Sequence, residues 1–186
     1  MTQIPSMADL ARYRPRWGGE KELNLGDEWR AQWEETDQLP EHAPTYHHYT
    51  VVVVKERGYV TRPAGETVWR TVEGPLEPGQ VLEDAIKAAV YRQTGVVTAK
   101  LRLIGYFECK ATRHNTAFPL GSVTVRPVYV AVGERVEDIP DDSGYERRRL
   151  PLNEFVATLR RRHIEIQDQL GKAVDTYLVM RARGEA

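Results

Sequence analysis

The sequence predicts one α/β (α+β) domain built around a mixed β-sheet. Three observations predict it: runs rich in β-branched residues near residues 49–55 and 123–132, a helical pattern over residues 81–94, and two helical stretches near the C-terminal end. Strands, one capped helix, more strands and terminal helices in this order are typical of such a domain. The 186 residues fit one domain with an additional segment.

The composition is that of an ordinary globular protein, with 41% hydrophobic and 28% charged residues. No apolar run approaches the roughly 20 residues that cross a bilayer, so no membrane association is expected. Residues 1–16 lack the apolar core of a secretory signal, which predicts a cytoplasmic protein. The net charge of -1 gives no overall field that would attract nucleic acid or an anionic membrane.

Residues 1–45 are predicted to form an N-terminal arm, and residues 46–183 the domain itself. The arm contains four prolines and one stretch, residues 27–37, that we interpret as a short helix. In that helix Trp29 and Trp33 would share one face, a pattern typical of a helix that packs on a core or a partner. The arm is therefore expected to lie on the domain or across a subunit boundary.

Turn residues divide the rest of the chain into further elements. Arg57-Gly58 predicts a hairpin after the first strand, and Gly95 stands where the C-terminal cap of the helix would fall. Pro127 predicts an edge or a bulge in the last long strand. The lone Cys109 is predicted to be a buried strand residue. The other predicted elements are a strand over 67–72, a loop over 73–79, a strand over 100–110, a solvated acidic loop over 134–142 and helices over 152–161 and 164–183.

Residues 74–96 resemble the Nudix box, whose family pattern is G-x5-E-x7-R-E-U-x-E-E-x-G-U with U aliphatic. The spacing matches without a gap, and Gly74, Val90, Gly95 and Val96 fall on the two glycines and the two aliphatic sites. The resemblance implies a Nudix-like α/β/α sandwich over about residues 46–180. In that family the carboxylates of the box hold magnesium or manganese against a substrate linked to a nucleoside diphosphate.

The resemblance ends at the polar residues of the box. Gln80 stands at the loop glutamate, Ala88 and Ala89 replace the Arg-Glu pair, and Arg92 and Gln93 replace the paired glutamates. Positions 89, 92 and 93 share one helix face, where the metal would bind. Magnesium needs hard oxygen ligands, and this face has an alanine and an arginine. We therefore expect no catalytic residue, no metal site and loss of the family reaction.

Our leading hypothesis is a ligand-binding or interaction domain whose cleft takes a nucleotide or an ADP-ribose-like molecule. The residues predicted to line the cleft are Gln80, Arg92, Gln93 and Glu108. A plainer alternative is that Ala89 packs tightly while Arg92 and Gln93 are solvated.

Two further hypotheses come from different classes. The first is a divergent Nudix hydrolase with relocated carboxylates, and this is the only hypothesis that requires magnesium or manganese. The candidate carboxylates are Glu73, Glu77, Glu83, Asp84, Glu108 and the acidic residues of 134–142. The second is a structural homodimer formed through the tryptophan-bearing arm. Two arginine clusters, at 147–149 and 160–162, are expected to be solvated helix ends, so nucleic-acid binding is not expected. No histidine-bound metal is expected either, because His47, His48 and His114 have no partner at metal spacing.

Overall fold

The computed structural model describes residues 2–18 and 21–186, and a mixed β-sheet is its central feature. A 3₁₀ turn at Met7–Arg12 precedes the sheet, and a second one at Ile164–Ile166 separates the last two helices. The strands are β1 (Leu23–Leu25), β2 (Trp29–Glu35), β3 (His47–Val54), β4 (Arg57–Pro63), β5 (Val72–Pro75), β6 (Val96–Ala111), β7 (Val123–Val136) and β8 (Tyr145–Pro151), and the helices are α1 (Leu82–Thr94), α2 (Leu152–Arg162) and α3 (Gln167–Ala182).

The strand order across the sheet is β1-β2-β6-β7-β3-β4-β8. Only the β3–β7 pair is parallel among these neighbours, which makes the sheet mixed, as the sequence predicts. Strand β5 pairs with the first half of β3, and β4 pairs with its second half. The two strands therefore follow one another along the same edge of β3.

Helices cover both faces of the sheet, which confirms the predicted α/β/α sandwich. On β3, Val52 packs towards α1, whereas Val51 and Val53 belong to the core beneath α2 and α3. The alternation is that of a strand buried on both faces. Among the described residues, none of the helices has the length and apolar character that crossing a bilayer requires.

Helix α1 and its end agree closely with the prediction. Leu82, Ile86 and Val90 recur every four residues and are at most 1% exposed, so they form the buried stripe. Gly95 ends the helix with φ +70°, and its N–H donates to Tyr91 O at 2.7 Å. A left-handed residue at this position is a common helix terminator, which is why glycine marked it in the sequence.

The helix predicted over residues 27–37 is wrong, because this stretch contains strand β2, which forms a hairpin with β1. Strand β2 pairs along its whole length with β6, placing Trp29 opposite Ala111 and Trp33 opposite Phe107. Residues four apart lie on one side of a strand as well as of a helix, so the shared tryptophan face did not distinguish the two. Trp29 is buried in the core of its own chain, and Trp33 packs against that core.

Two smaller predictions also differ from the structure, and a third agrees with it in part. Of residues 67–72, only Val72 belongs to a strand, and Arg70 forms an isolated bridge to Thr61. The cluster at 147–149 lies within strand β8 rather than at a helix end. Pro127 lies in a central strand and not at an edge, but the alternative prediction of a bulge agrees with the register irregularity of the neighbouring strand between Leu103 and Gly105.

Candidate functional site

The face of α1 that the box places at the metal site presents no carboxylate. Ala88 and Arg92 are exposed, and Ala89 is half-buried. Gln93 is the exception, because it is only 5% exposed, so the alternative in which Gln93 is solvated is wrong. What this face offers a ligand is therefore a guanidinium and two methyl groups.

The buried amide of Gln93 is a structural link between α1 and β5. Its Nε2 donates a hydrogen bond to Glu73 O at 2.9 Å, and the Gln93 carbonyl accepts one from Thr61 Oγ1 at 3.1 Å. Backbone carbonyls of sheet strands need a donor when no strand pairs with them. Gln93 supplies that donor where the family pattern has a carboxylate, so glutamine suits the position without a metal.

Gln80 lies in the exposed turn before α1, beside the N-terminal segment. Its carbonyl accepts a hydrogen bond from Ile4 N at 2.8 Å, and Gly79 N donates to Ile4 O at 2.8 Å. The Gln80 side chain accepts from Glu77 N at 3.4 Å. The box loop is thus bound along its backbone by the start of the chain.

Glu108 lies on the same sheet face as Tyr106, and the N-terminal segment covers it. It is 4% exposed, and its Oε2 accepts hydrogen bonds from the Tyr13 hydroxyl and from Arg16 N, the latter at 2.9 Å. Burial and the bond to Glu108 raise the pKa of Tyr13 well above its usual range. Glu108 therefore anchors the N-terminal segment, whereas Gln93, in the last turn of α1, bonds β5.

These residues do not fit a magnesium or manganese ion. Within residues 2–18 and 21–186, no group of three or more His, Cys, Asp or Glu side chains is arranged to hold a metal ion. On the helix face itself, Ala89 has no ligand atom, and Gln93 offers only the one neutral oxygen of an amide whose nitrogen bonds Glu73 O. The nearest charge on that face is the Arg92 cation, which would repel a metal ion.

Replacing Gln93 by glutamate is expected to destabilise the protein by about 1–3 kcal/mol at pH 8, because a buried carboxylate would lose the donated hydrogen bond and face a carbonyl oxygen. Protonation would restore a donor, so the loss should shrink as the pH falls towards 5. Urea unfolding of wild type and Gln93→Glu at both pH values measures this.

The exposed neighbour Arg92 provides the matched control for this substitution. Arg92→Gln should change the free energy of unfolding by no more than about 0.5 kcal/mol at either pH. If Gln93→Glu is as stable as wild type at pH 8, the bond to Glu73 O does not hold α1 on β5.

A cavity of about 720 Å³ opens beside β5, between the segment that joins β4 to β5 and the last turns of α2. We call it the arginine cavity, and its lining residues are Gly65, Glu66, Thr67, Val68, Trp69, Arg70, Thr158, Arg161 and Arg162. Arg161 and Arg162 come from the helix end that the sequence marked as a basic cluster. Trp69 and Arg70 carried no signal in the sequence, because nothing local showed that they would meet α2.

Glu73 does not line the arginine cavity, but its carboxylate interacts with arginines that do. Arg70 Nη1 is 3.9 Å from its carboxylate, and the charges of Arg162 and Arg126 also act on it. Burial raises the pKa of Glu73, and these three arginines oppose that rise. Among the residues that line the cavity, the three arginines outnumber the one carboxylate, that of Glu66, and this excess of positive charge favours a bound anion.

His163 is buried next to the arginine cavity in the chain, because it directly follows the lining residue Arg162. Its Nε2 accepts a hydrogen bond from Thr71 N at 3.1 Å, which requires a neutral ring. Burial, and then the charges of Arg162 and Arg70, lower its pKa to about 3. At neutral pH the positive charge of this region comes from the arginines alone.

Comparison with solved structures gives the same architecture. A Bacillus subtilis pyrophosphohydrolase superposes with a TM-score of 0.56 at 19% identity, covering 70% of this chain and 77% of its own. A NUDIX hydrolase from Nitrosomonas europaea superposes with a TM-score of 0.51 at 14% identity, covering 73% of this chain and 89% of its own. The chain has the Nudix fold.

A third Nudix structure matches nearly the whole chain. It is the NUDIX domain of Shewanella oneidensis NrtR in complex with ADP ribose, with a TM-score of 0.50 at 13% identity, covering 93% of this chain and 99% of its own. At these identities the likeness concerns the fold. No protein-family model matches the sequence, and no curated protein is significantly similar to it.

Proposed function

We propose that this Nudix-fold chain binds a nucleotide or an ADP-ribose-like molecule and does not hydrolyse it with a metal ion. The observation that carries the proposal is the hydrogen bond from Gln93 Nε2 to Glu73 O, which uses a box position for structure. Ala88, Ala89 and Arg92 add no carboxylate to that face. Metal catalysis needs ligands that hold the ion against the phosphoryl oxygens, and this helix does not provide them.

The fold supports binding because a Nudix domain of similar length has been solved with ADP ribose. Fold alone does not define a ligand, so the proposal also depends on the charge of this chain. Its arginine cavity combines guanidinium groups with an indole ring, which suits a molecule that has both phosphate and an aromatic base. The contacts with Gln80, Arg92, Gln93 and Glu108 stay a prediction of the sequence, and they describe a different placement of the ligand, because none of these four residues lines the arginine cavity.

The alternative of a homodimer built through the arm has less support. Trp29 is buried in the core of its own chain and Trp33 packs against that core, so these rings are used within one chain. The homodimer therefore remains a prediction from the sequence, and light scattering of the purified protein would test it by measuring the molar mass in solution.

Thermal unfolding with and without magnesium and manganese tests the function. Wild-type protein is expected to be stabilised by ADP-ribose, a dinucleotide or a nucleoside triphosphate, equally with and without metal. A ligand at 100 times its Kd stabilises by about 2.7 kcal/mol, which corresponds to a rise in Tm of roughly 5–10 °C for a chain of this size. The same samples should contain no hydrolysis product.

Two results would contradict the proposal. One is metal-dependent release of a phosphate-containing product by an activity that co-purifies with the protein and is lost when it unfolds. The other is an unchanged Tm with every nucleotide in the panel.

A further inference from the structure

The arginine cavity contains more positive charge than the chain itself neutralises. Arg70 pairs with Glu66 and, more distantly, with Glu73. Among the described residues, neither Arg161 nor Arg162 forms an ion pair, and Arg161 has only a long contact of 3.5 Å with Thr158 Oγ1. The carbonyl end of α2 favours cations nearby, but its effect is equivalent to only about half a unit charge. Two guanidinium groups therefore remain available to an anion.

One hydrogen-bond donor in the wall of this cavity is buried without a partner. Arg70 Nε has no hydrogen-bond partner within the part of the chain that the structure describes, although its side chain is only 20% exposed. Arginine presents its donors as a planar fork that matches the oxygens of phosphate. An anion bound between Arg70 and the end of α2 would approach this guanidinium group, whose Nε the chain leaves unpaired.

Trp69 gives the cavity an aromatic surface beside these cations. The Arg62 guanidinium lies 4.2 Å from the centre of the indole ring, and Arg62 Nε is fixed by Glu146 at 2.7 Å. This arrangement holds the ring in one orientation while the half-buried indole still lines the cavity. A planar base is able to stack on a fixed indole of this kind.

We propose that the arginine cavity is the ligand site, with a phosphate or diphosphate bound by Arg70, Arg161 and Arg162 and the aromatic base packed on Trp69. The ligand class is a nucleoside phosphate. This inference rests on the proposed function, because it places the same ligand. It locates the phosphate in a cavity lined by the 65–70 segment and the end of α2, away from the box face that bears Ala89 and Arg92.

The volume and the electrostatics of the cavity agree with this ligand class. About 720 Å³ lies within the range of small-molecule pockets. Burial lowers the pKa of His163 to about 3, so this neighbour adds no charge and leaves the arginines as the anion-binding groups. Glu66 and Glu73 form their ion pairs with Arg70, and Arg162 acts on Glu73 only from a longer distance, so an anion beside Arg161 and Arg162 need not displace a paired carboxylate.

Calorimetric titration of full-length protein with inorganic pyrophosphate and with ADP-ribose tests the site. Arg161→Gln and Arg162→Gln should each weaken binding of both ligands at least tenfold. Arg160→Gln is the matched control, because Arg160 is exposed on the same helix end but does not line the cavity, and its affinities should stay within twofold of wild type. All three arginines are exposed, so ligand-free melting should show that the variants fold like wild type.

Variants of Trp69 distinguish binding of the aromatic base from binding of the diphosphate. Trp69→Leu should weaken ADP-ribose at least tenfold and leave pyrophosphate within about threefold, whereas Trp69→Phe should restore much of the ADP-ribose affinity. Unchanged ADP-ribose affinity in both Arg161→Gln and Arg162→Gln would overturn the site and leave the proposed function standing.

The remaining outcomes distinguish the two proposals. Pyrophosphate binding that is lost in the arginine variants, without any ADP-ribose binding, would support an anion site and contradict the nucleotide function. If wild type binds neither ligand, both proposals fail.

Discussion

Replacing Gly95 by alanine is expected to destabilise the protein by about 2–5 kcal/mol, for two reasons that act at one atom. Gly95 has φ +70°, where an L-residue costs roughly 1–2 kcal/mol. A Cβ at this position would also overlap Glu137 O and the Arg147 guanidinium. Forcing an extra carbon into a packed site costs about 1–3 kcal/mol, because the backbone has to move. Urea unfolding of the two proteins measures the difference.

The surroundings of Gly95 explain why movement is costly there. Glu137 N donates to Gly95 O at 2.9 Å, and the Arg147 guanidinium donates to the carbonyls of Thr94 and Glu137. Arg147 thus satisfies a carbonyl at the end of α1 while it links β8 to the segment after β7. Displacing Glu137 would break these bonds together.

A substitution at Gly121 distinguishes the cost of backbone strain from the cost of steric overlap. It has φ +82° with nothing within 4 Å of an added Cβ, so Gly121→Ala should cost only about 1–2 kcal/mol. Equal losses in the two alanine variants would show that Glu137 moves aside without cost, contrary to this account.

The stability of the protein is expected to fall as the pH is lowered from 7 towards 4, because two buried histidines are neutral in the folded state. Burial lowers the pKa of His48 to about 4, and burial with Arg162 and Arg70 lowers that of His163 to about 3. In the unfolded chain both would titrate near 6.5. Their contribution is therefore fully present above pH 6.5 and is lost as the pH falls towards the folded values.

The expected size of this effect is up to about 1.4 kcal/mol per pH unit for each histidine, so several kcal/mol are lost between pH 6.5 and 4. The Glu73 carboxyl, whose pKa burial raises, acts in the opposite direction. Urea unfolding at pH 8, 7, 6 and 5 stays above most carboxyl titrations and isolates the histidine contribution.

His163→Gln tests the assignment, because the glutamine oxygen can accept the bond from Thr71 N but does not titrate. The slope of stability against pH should be smaller in this variant than in wild type. Replacing the exposed His114 by glutamine is the control and should leave the slope unchanged. A wild-type slope in His163→Gln would show that His163 does not contribute to the pH dependence.

Local patterns were sufficient to predict much of this fold. Helix α1 follows from the spacing of its apolar residues, and its end follows from Gly95, because only glycine adopts φ +70° without strain. Cys109 was expected on a buried strand, and it is buried on β6. The framework of the box could also be predicted locally, because its glycine and aliphatic positions reflect the backbone conformation and burial of one stretch of 23 residues.

Residues 27–37 show where local patterns stop being informative. Trp29 and Trp33 are compatible with a helix or a strand, because both repeats return residue i+4 to the same side. Pairing with the 16-residue strand β6 decides between them, and that partner lies more than 70 residues away. Secondary structure at this point is a consequence of tertiary hydrogen bonding.

The site divides in the same way. By itself the sequence determined that the box has no carboxylate at positions 80, 89, 92 and 93, because the residue type alone defines the functional group of a side chain. Only the tertiary structure decided that the Gln93 amide bonds Glu73 O and that Trp69 and Arg70 meet Arg161 and Arg162 across a cavity. The physical reason is distance along the chain: these contacts join segments that no local periodicity connects, and only packing of α2 against β4 and of α1 against β5 brings them together.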